Sequence, residues 1–193
     1  MSNNNSFGGK RKIIAFDFDG VFHKSIYYEK NIYGQGHPKC KLDKLENCKP
    51  FIKIHELIKI KHNKGYLIDI VTHNPNIKGI KKFLKKNNML KYINKIYAVD
   101  GNKGIKLKEL NAVEFYDDTN GVLEVVLQYC KEGNFCTKLF KVDPLKNTIK
   151  KYKSKFSKEQ GQLFYKYVKY RTLYKEMKEK LKKKYNVKEK EYD

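Results

Sequence analysis

The sequence predicts an α/β fold, a parallel sheet with helices packed on it, followed by a basic helical extension. Three observations predict it. Between residues 12 and 143, apolar runs of strand length alternate with segments of helical period. Several of those runs end in acidic or hydroxyl residues, at the place where parallel sheets gather ligands. Residues 150–193 then carry 16 Lys+Arg against 6 Asp+Glu, a net +10. With 193 residues and 40% hydrophobic content, the chain can build one domain with a real core.

The elements follow in order. Residues 12–18 form an apolar run bounded by Gly20 and read as a strand. Residues 21–50 hold Gly34, Gly36, Pro38 and Pro50, and read as turns with a short hairpin, a small insertion or flap. In residues 51–64, Phe51, Ile54, Leu57 and Ile58 share one helical face, and Gly65 closes the helix. "YLIDIVTHN" is a second strand ending in Thr72, and "NIKGIKKFLKKNNM" a basic amphipathic helix. "NKIYAVD" is a third strand and "KGIKLKEL" a short helix. "AVEFYDDT" is a fourth strand ending in Asp117 and Asp118, "NGVLEVVLQYC" a helix, and "TKLFKV" a fifth strand. The expected organisation is a lead over residues 1–11, an α/β domain over 12–149 and an extension over 150–193.

The stretch "IIAFDFDG" places Asp17 and Asp19 one residue apart at the end of a buried strand. Two close carboxylates repel, and burial strengthens the repulsion. A cation relieves it. Asp17, Asp19, Asp117, Asp118, Thr72 and Lys103 all fall at or near one end of the expected sheet. Hard oxygen donors in a compact site suit Mg²⁺. Read singly, Asp117–Asp118 would cap the helix that follows, and Thr72 the helix after its strand. Read with Asp17 and Asp19, they form one set.

The ordered motifs "AFDFDGV", "IVTHN", "NKGIKL" and "FYDDT" resemble those of the haloacid dehalogenase superfamily of phosphohydrolases. The resemblance covers residues 13–118 and implies a Rossmann-like parallel sheet and Mg²⁺-dependent phosphatase activity. It implies that Asp17 attacks phosphorus and forms an aspartyl-phosphate. Asp19 would protonate the leaving oxygen and then activate water. Thr72 would bond the phosphoryl oxygens, and Lys103 would neutralise charge, with Lys106 as the alternative lysine. Mg²⁺ would be held by Asp17, Asp117, Asp118 and the backbone carbonyl of Asp19. Thr72, His73, Asn74 and Lys103 are the expected substrate contacts, and His23 is a further candidate. Superfamily members often carry a cap domain, and here the gaps between motifs leave room for a minimal one or none.

Other readings fail on spacing. An EF-hand would need acidic groups where Val21 and Tyr28 stand. Cys40–Cys48 and Cys130–Cys136 are too far apart for a zinc pair. The glycines of "NIYGQGHP" do not link a strand to a helix, so they are no dinucleotide fingerprint. No apolar run approaches the roughly 20 residues of a membrane span. "MSNNNSFGGKRK" lacks the apolar core of a secretory signal, and four cysteines are sparse. The expectation is an intracellular protein, cytoplasmic or nuclear, with thiols rather than disulfides.

Lys+Arg is 43 against Asp+Glu 21, a net +22, with arginine only at Arg11 and Arg171. A field this positive attracts polyanions, although codons rich in A and T would also raise Lys, Asn, Ile and Tyr together. The charge points to phosphate on a nucleotide or a nucleic-acid end. The alternative class is a basic nucleic-acid-binding or scaffold protein with little turnover. In the extension, Leu163, Tyr167, Tyr170, Tyr174, Met177 and Leu181 recur at three and four residues, one helical stripe. It is expected to pack on the core or a partner, to stack on bases, or to pair two copies as a homodimer.

Overall fold

The computed structural model describes residues 11–23, 45–133, 135–154 and 156–185. Six strands form one sheet: β1 Ile13–Phe16, β2 Leu67–Thr72, β3 Lys95–Ala98, β4 Ala112–Asp117, β5 Lys138–Asp143 and β6 Thr148–Lys151, in the order β3-β2-β1-β4-β5-β6. The first five run parallel, and β6 is antiparallel to β5. The helices are α1 Ile52–Asn63, α2 Ile77–Lys86, α3 Lys103–Glu109, α4 Asn120–Glu132 and α5 Lys158–Tyr185. The expected α/β architecture, compatible with a Rossmann-like sheet, is present. No helix among the described residues is long and apolar enough to cross a membrane.

β1 lies in the middle, hydrogen-bonded to β2 on one side and β4 on the other. A central parallel strand is covered on both faces, and so "IIAF" is continuously apolar rather than alternating. Ile14, Phe16, Ile68 and Ile70 face a core with Ile54 and Ile58 of α1 and Phe83 of α2. Ala15, Val71 and Phe115 face the opposite core with Leu107 of α3 and Leu123 and Val126 of α4. Period-two alternation sorts the neighbours of one strand into two layers. Asn76 and Asn102 cap α2 and α3, accepting bonds from Gly79 N–H and Gly104 N–H at 2.9 and 2.8 Å.

Three expectations need correction. The sheet gains β6, which "TIKK" does not reveal. An edge strand carrying lysines and half-exposed side chains lacks the apolar pattern of a central one. Cys48 is disulfide-bonded rather than a thiol, while Cys130 and Cys136 are free. Sparseness of cysteines along a chain does not say which of them the fold brings together. The C-terminal stripe does not pack on the core: Leu163, Tyr167, Tyr170, Tyr174, Met177 and Leu181 are 49–68% exposed. The opposite face docks instead, through Gly161, Phe164 and Tyr165. Gly121 of α4 has no Cβ where one would lie 3.1 Å from the Phe164 ring, and a Cβ at Gly161 would lie 2.5 Å from the Glu124 carboxylate. Ser157 and Gln160 cap the start of α5 reciprocally, at 3.1 and 3.0 Å. Most of the expected flap, residues 24–44, lies outside the described residues.

One buried group gives the fold a pH signature. His55 on α1 packs against Phe22 and Phe83. Burial lowers its pKa to about 4, the charges of Lys59 and His23 lower it too, and a bond with the Phe22 backbone acts against them. The unfolded chain therefore takes up this proton first, and the stability tied to a neutral His55 is lost as pH falls from 6.5 toward about 4. The loss is about 3 kcal/mol. Urea melts at pH 7 and pH 4 are expected to show it, and His55→Phe is expected to remove that part of the acid limb. An unchanged difference between the two pH values in the variant would rule His55 out as its source.

Candidate metal centre at the carboxyl ends of the strands

Strand order reverses about β1: the chain proceeds through β2 and β3 on one side and β4 and β5 on the other. In open parallel sheets such a point leaves a crevice beyond the strand ends. Asp17 directly follows β1, Asp117 ends β4, and Asp118 comes next. Their carboxylates each place an oxygen within 4.8 Å of the other two. Three hard oxygen donors this close form a site that a divalent cation fits.

Lys103, the first residue of α3, reaches into the same point. Its Nζ lies 2.8 Å from Asp17 Oδ1 and 2.9 Å from Asp117 Oδ2, and its side chain is buried. Burial alone favours the neutral amine, but the charges of Asp117 and Asp17 outweigh it and raise the Lys103 pKa. The carboxyl of Asp117 is pushed up by burial and by Asp17, against the pull of Lys103. Asp118 is pushed up to about 7 by burial, then by the charges of Asp117 and Asp17. Two short contacts join the buried ammonium to Asp17 and Asp117, and the negative charge of those two carboxylates is felt at Asp118. A bound cation offsets that charge.

Gly20 explains the glycine that follows the paired aspartates. Its φ is +71°, and a Cβ there would lie 2.0 Å from Asp118 Oδ2. Gly20→Ala is expected to cost about 1–2 kcal/mol in backbone strain alone. It is also expected to displace the Asp118 carboxylate. A thermal melt with and without Mg²⁺ checks this: the variant should lose most of the cation-induced rise in Tm. A wild-type rise would mean that Asp118 is not a ligand.

Asp19 is placed differently from Asp17. Its carboxylate is not in the trio. Oδ2 accepts from Asn74 Nδ2 at 2.9 Å, and Oδ1 lies 3.2 Å from His23 Nε2. Asn74 is itself fixed, its Oδ1 accepting from Asn76 N–H at 2.9 Å. Thr72 is buried at the end of β2 and its Oγ1 accepts from Asn74 N–H at 3.1 Å, which leaves the hydroxyl proton to donate. His73 is exposed at the mouth, its Nε2 donating to the Gly101 carbonyl at 2.8 Å. The simple capping roles do not hold, because Asn76 caps α2 and Thr119 occupies the N-cap position of α4. Asp117 Oδ1 accepts from Thr119 N–H at 2.8 Å, a bond that fixes the carboxylate beside Lys103.

Of the two candidate lysines, Lys103 is at the centre. Lys106 pairs with Glu109 and lies over the Tyr97 ring. Spacing alone left both open because one helical turn separates them. His23 is more than a mouth residue: it is buried between Phe18 and Phe83, with its ring nitrogen on Asp19. Its position four residues after Asp19 was the available signal. Comparison with protein-family models and with curated proteins finds no match to this chain.

Proposed function

We propose that the chain is a Mg²⁺-dependent phosphatase of the haloacid dehalogenase type. It acts through an aspartyl-phosphate on Asp17, with a nucleotide or nucleic-acid-end phosphate as substrate. The observation that carries this reading is the buried Lys103 ammonium held between Asp17 and Asp117, beside a third carboxylate, at the reversal point of a parallel sheet. Asp17, Asp117 and Asp118 would hold Mg²⁺, which neutralises phosphoryl charge when bound.

The side chains then divide the work. A carboxylate oxygen of Asp17 attacks phosphorus as the ester P–O bond breaks, and the departing oxygen takes a proton from Asp19. Asp19, now a carboxylate, removes a proton from water. That water oxygen attacks phosphorus, the bond to Asp17 breaks, and phosphate leaves. His23 and Asn74 position Asp19 for both transfers. The Thr72 hydroxyl and the Lys103 ammonium bond phosphoryl oxygens as charge moves onto them. His73, exposed at the mouth, would meet the substrate beyond its phosphate.

The net charge of +22 supports a polyanionic substrate and also favours a second reading, a basic nucleic-acid-binding or scaffold protein with little turnover. The exposed stripe on α5 is the surface through which two copies would pair. Phosphate release separates the readings. The panel is p-nitrophenyl phosphate, mononucleotides, and oligonucleotides with 3′- or 5′-phosphates, each with Mg²⁺ and with chelator. The expected result is release that requires Mg²⁺. No release from any of them, with salt-sensitive oligonucleotide binding, would establish the second reading.

A further inference from the structure

A cavity of about 970 Å³ adjoins the carboxylate centre. Lys103, His73 and Thr119 form its boundary with the site. Its apolar walls are Val99 before α3, Val122 and Val125 of α4, and Phe164 and Val168 of α5. Farther along α5 it is lined by Arg171, Glu176 and Lys180. Two cations and one carboxylate leave that end net positive. At the helical rise, Phe164 and Arg171 are about 10 Å apart along the axis.

The wall supplied by α5 is anchored. Phe164 sits against Gly121, two residues after the Thr119 N–H that bonds Asp117. Glu124 is buried and accepts from Gln128 at 2.7 Å, Tyr152 at 3.0 Å and Ser154 at 2.6 Å, tying the chain before α5 onto α4. Tyr165 donates to Glu132 at 2.8 Å on the same interface. The cavity therefore borders the carboxylate centre and Asp100 at one end, where a bound Mg²⁺ would make room for a phosphate, is apolar in the middle and is net positive on α5. Its volume suits a small organic ligand. The complementary molecule is anionic at both ends with a flat apolar body between them. Of the 43 basic residues only two are arginine, and one of these lines the cavity. Arginine's planar fork matches phosphate in two parallel bonds.

We infer that α5 closes the substrate pocket in place of a cap domain, and that the pocket takes a nucleotide unit carrying a second phosphate. The scissile phosphate lies at Asp17, the base and sugar against the valines and Phe164, and the second phosphate at Arg171. The placement of the scissile phosphate rests on the phosphatase reading. The second-phosphate site does not, because it can be read by binding alone. Two sources share this chemistry, a free nucleoside bisphosphate and the phosphorylated end of an oligonucleotide.

The test uses the full chain, Arg171→Gln, and Lys169→Gln as a control that removes the same charge from α5 away from the cavity. Substrates are adenosine 3′,5′-bisphosphate, a dinucleotide with a terminal phosphate, and p-nitrophenyl phosphate, which has no second anion. Arg171→Gln is expected to raise KM for the two-phosphate substrates about tenfold. kcat, and all constants for p-nitrophenyl phosphate, should stay unchanged, and Lys169→Gln should match wild type. The better of the two-phosphate substrates identifies the source. Titration calorimetry of adenosine 3′,5′-bisphosphate in chelator repeats the comparison without turnover. Binding that depends on Arg171 in a protein that releases no phosphate keeps the pocket and rejects the phosphatase. Turnover of all substrates with no effect of Arg171→Gln, an equal effect of both lesions, or no bisphosphate binding by wild type overturns the pocket.

Discussion

Asp17→Asn is expected to lower Mg²⁺-dependent phosphate release by at least about 10³-fold, the loss that follows removal of a covalent nucleophile. An amide oxygen is a poor nucleophile and a weak ligand for a hard cation, so two functions fail together. The fold should survive. Asp17 follows β1, and its N–H bond to the Tyr116 carbonyl at 2.8 Å belongs to the backbone. Replacing it also lessens the crowding of negative charge beside Asp117 and Asp118. In chelator the variant should melt at or above the wild-type temperature, whereas the Mg²⁺-induced rise in Tm should disappear. Release measured in parallel with the two melts checks both statements. An Asp17→Asn protein that still hydrolyses phosphomonoesters at the wild-type rate would sink the proposed nucleophile. A preserved Mg²⁺ shift would remove Asp17 from the metal set alone.

Lys103→Met should be the most destabilising single change at the site. The ammonium is almost wholly buried and is shared by Asp17 and Asp117 at 2.8 and 2.9 Å. Taking away one partner of a buried ionic cluster leaves carboxylates desolvated and unpaired, a loss of about 3–5 kcal/mol. Methionine keeps most of the stem's volume while removing the ammonium, which also lies 5.7 Å from the centre of the Phe115 ring, so the loss is electrostatic rather than a cavity effect. Mg²⁺ should restore part of the stability, because it supplies positive charge to the same oxygens. Lys106→Met is the matched control. Its partner Glu109 is on the exposed side of α3, and exposed pairs contribute about 0–1 kcal/mol. Urea denaturation of both variants, with Mg²⁺ and with chelator, separates the lysines. Equal stabilities for the two would mean that the Lys103 contacts do not hold the carboxylates in place.

The two lysines also mark where reading residues in order stops being enough. Local pattern determined a good deal. "IIAF" before two aspartates and a glycine defines a buried parallel strand with its charges at the carboxyl end, and the alternation that follows predicts β2 to β5 and α1 to α4 close to their observed bounds. Once those strands are parallel, Asp17, Thr72 and Asp117 must share one edge, since each ends or directly follows a strand pointing the same way. The grouping was therefore legible, because it depends on topology alone.

What spacing left open depends on distances across the fold. Lys103 was separated from Lys106 by the direction in which α3 presents each side chain. The two aspartates of the first motif took different surroundings because the chain turns between them: Val21 and Phe22 N–H both bond the Phe18 carbonyl, so Asp17 stays at the strand end beside Lys103 while Asp19 turns toward His23 and Asn74. His23 became part of the site only when β1, α1 and α2 packed around it. β6 is defined by its bonds to β5 and not by any apolar pattern of its own. The docked face of α5 reads as glycine and mixed aromatics, while its exposed face carries the regular stripe, so periodicity did not show which face meets the core. Hydrophobic period reports what a helix would gain by burial. Which face is buried is decided by the shape of the partner, here a glycine on each helix that lets the two approach.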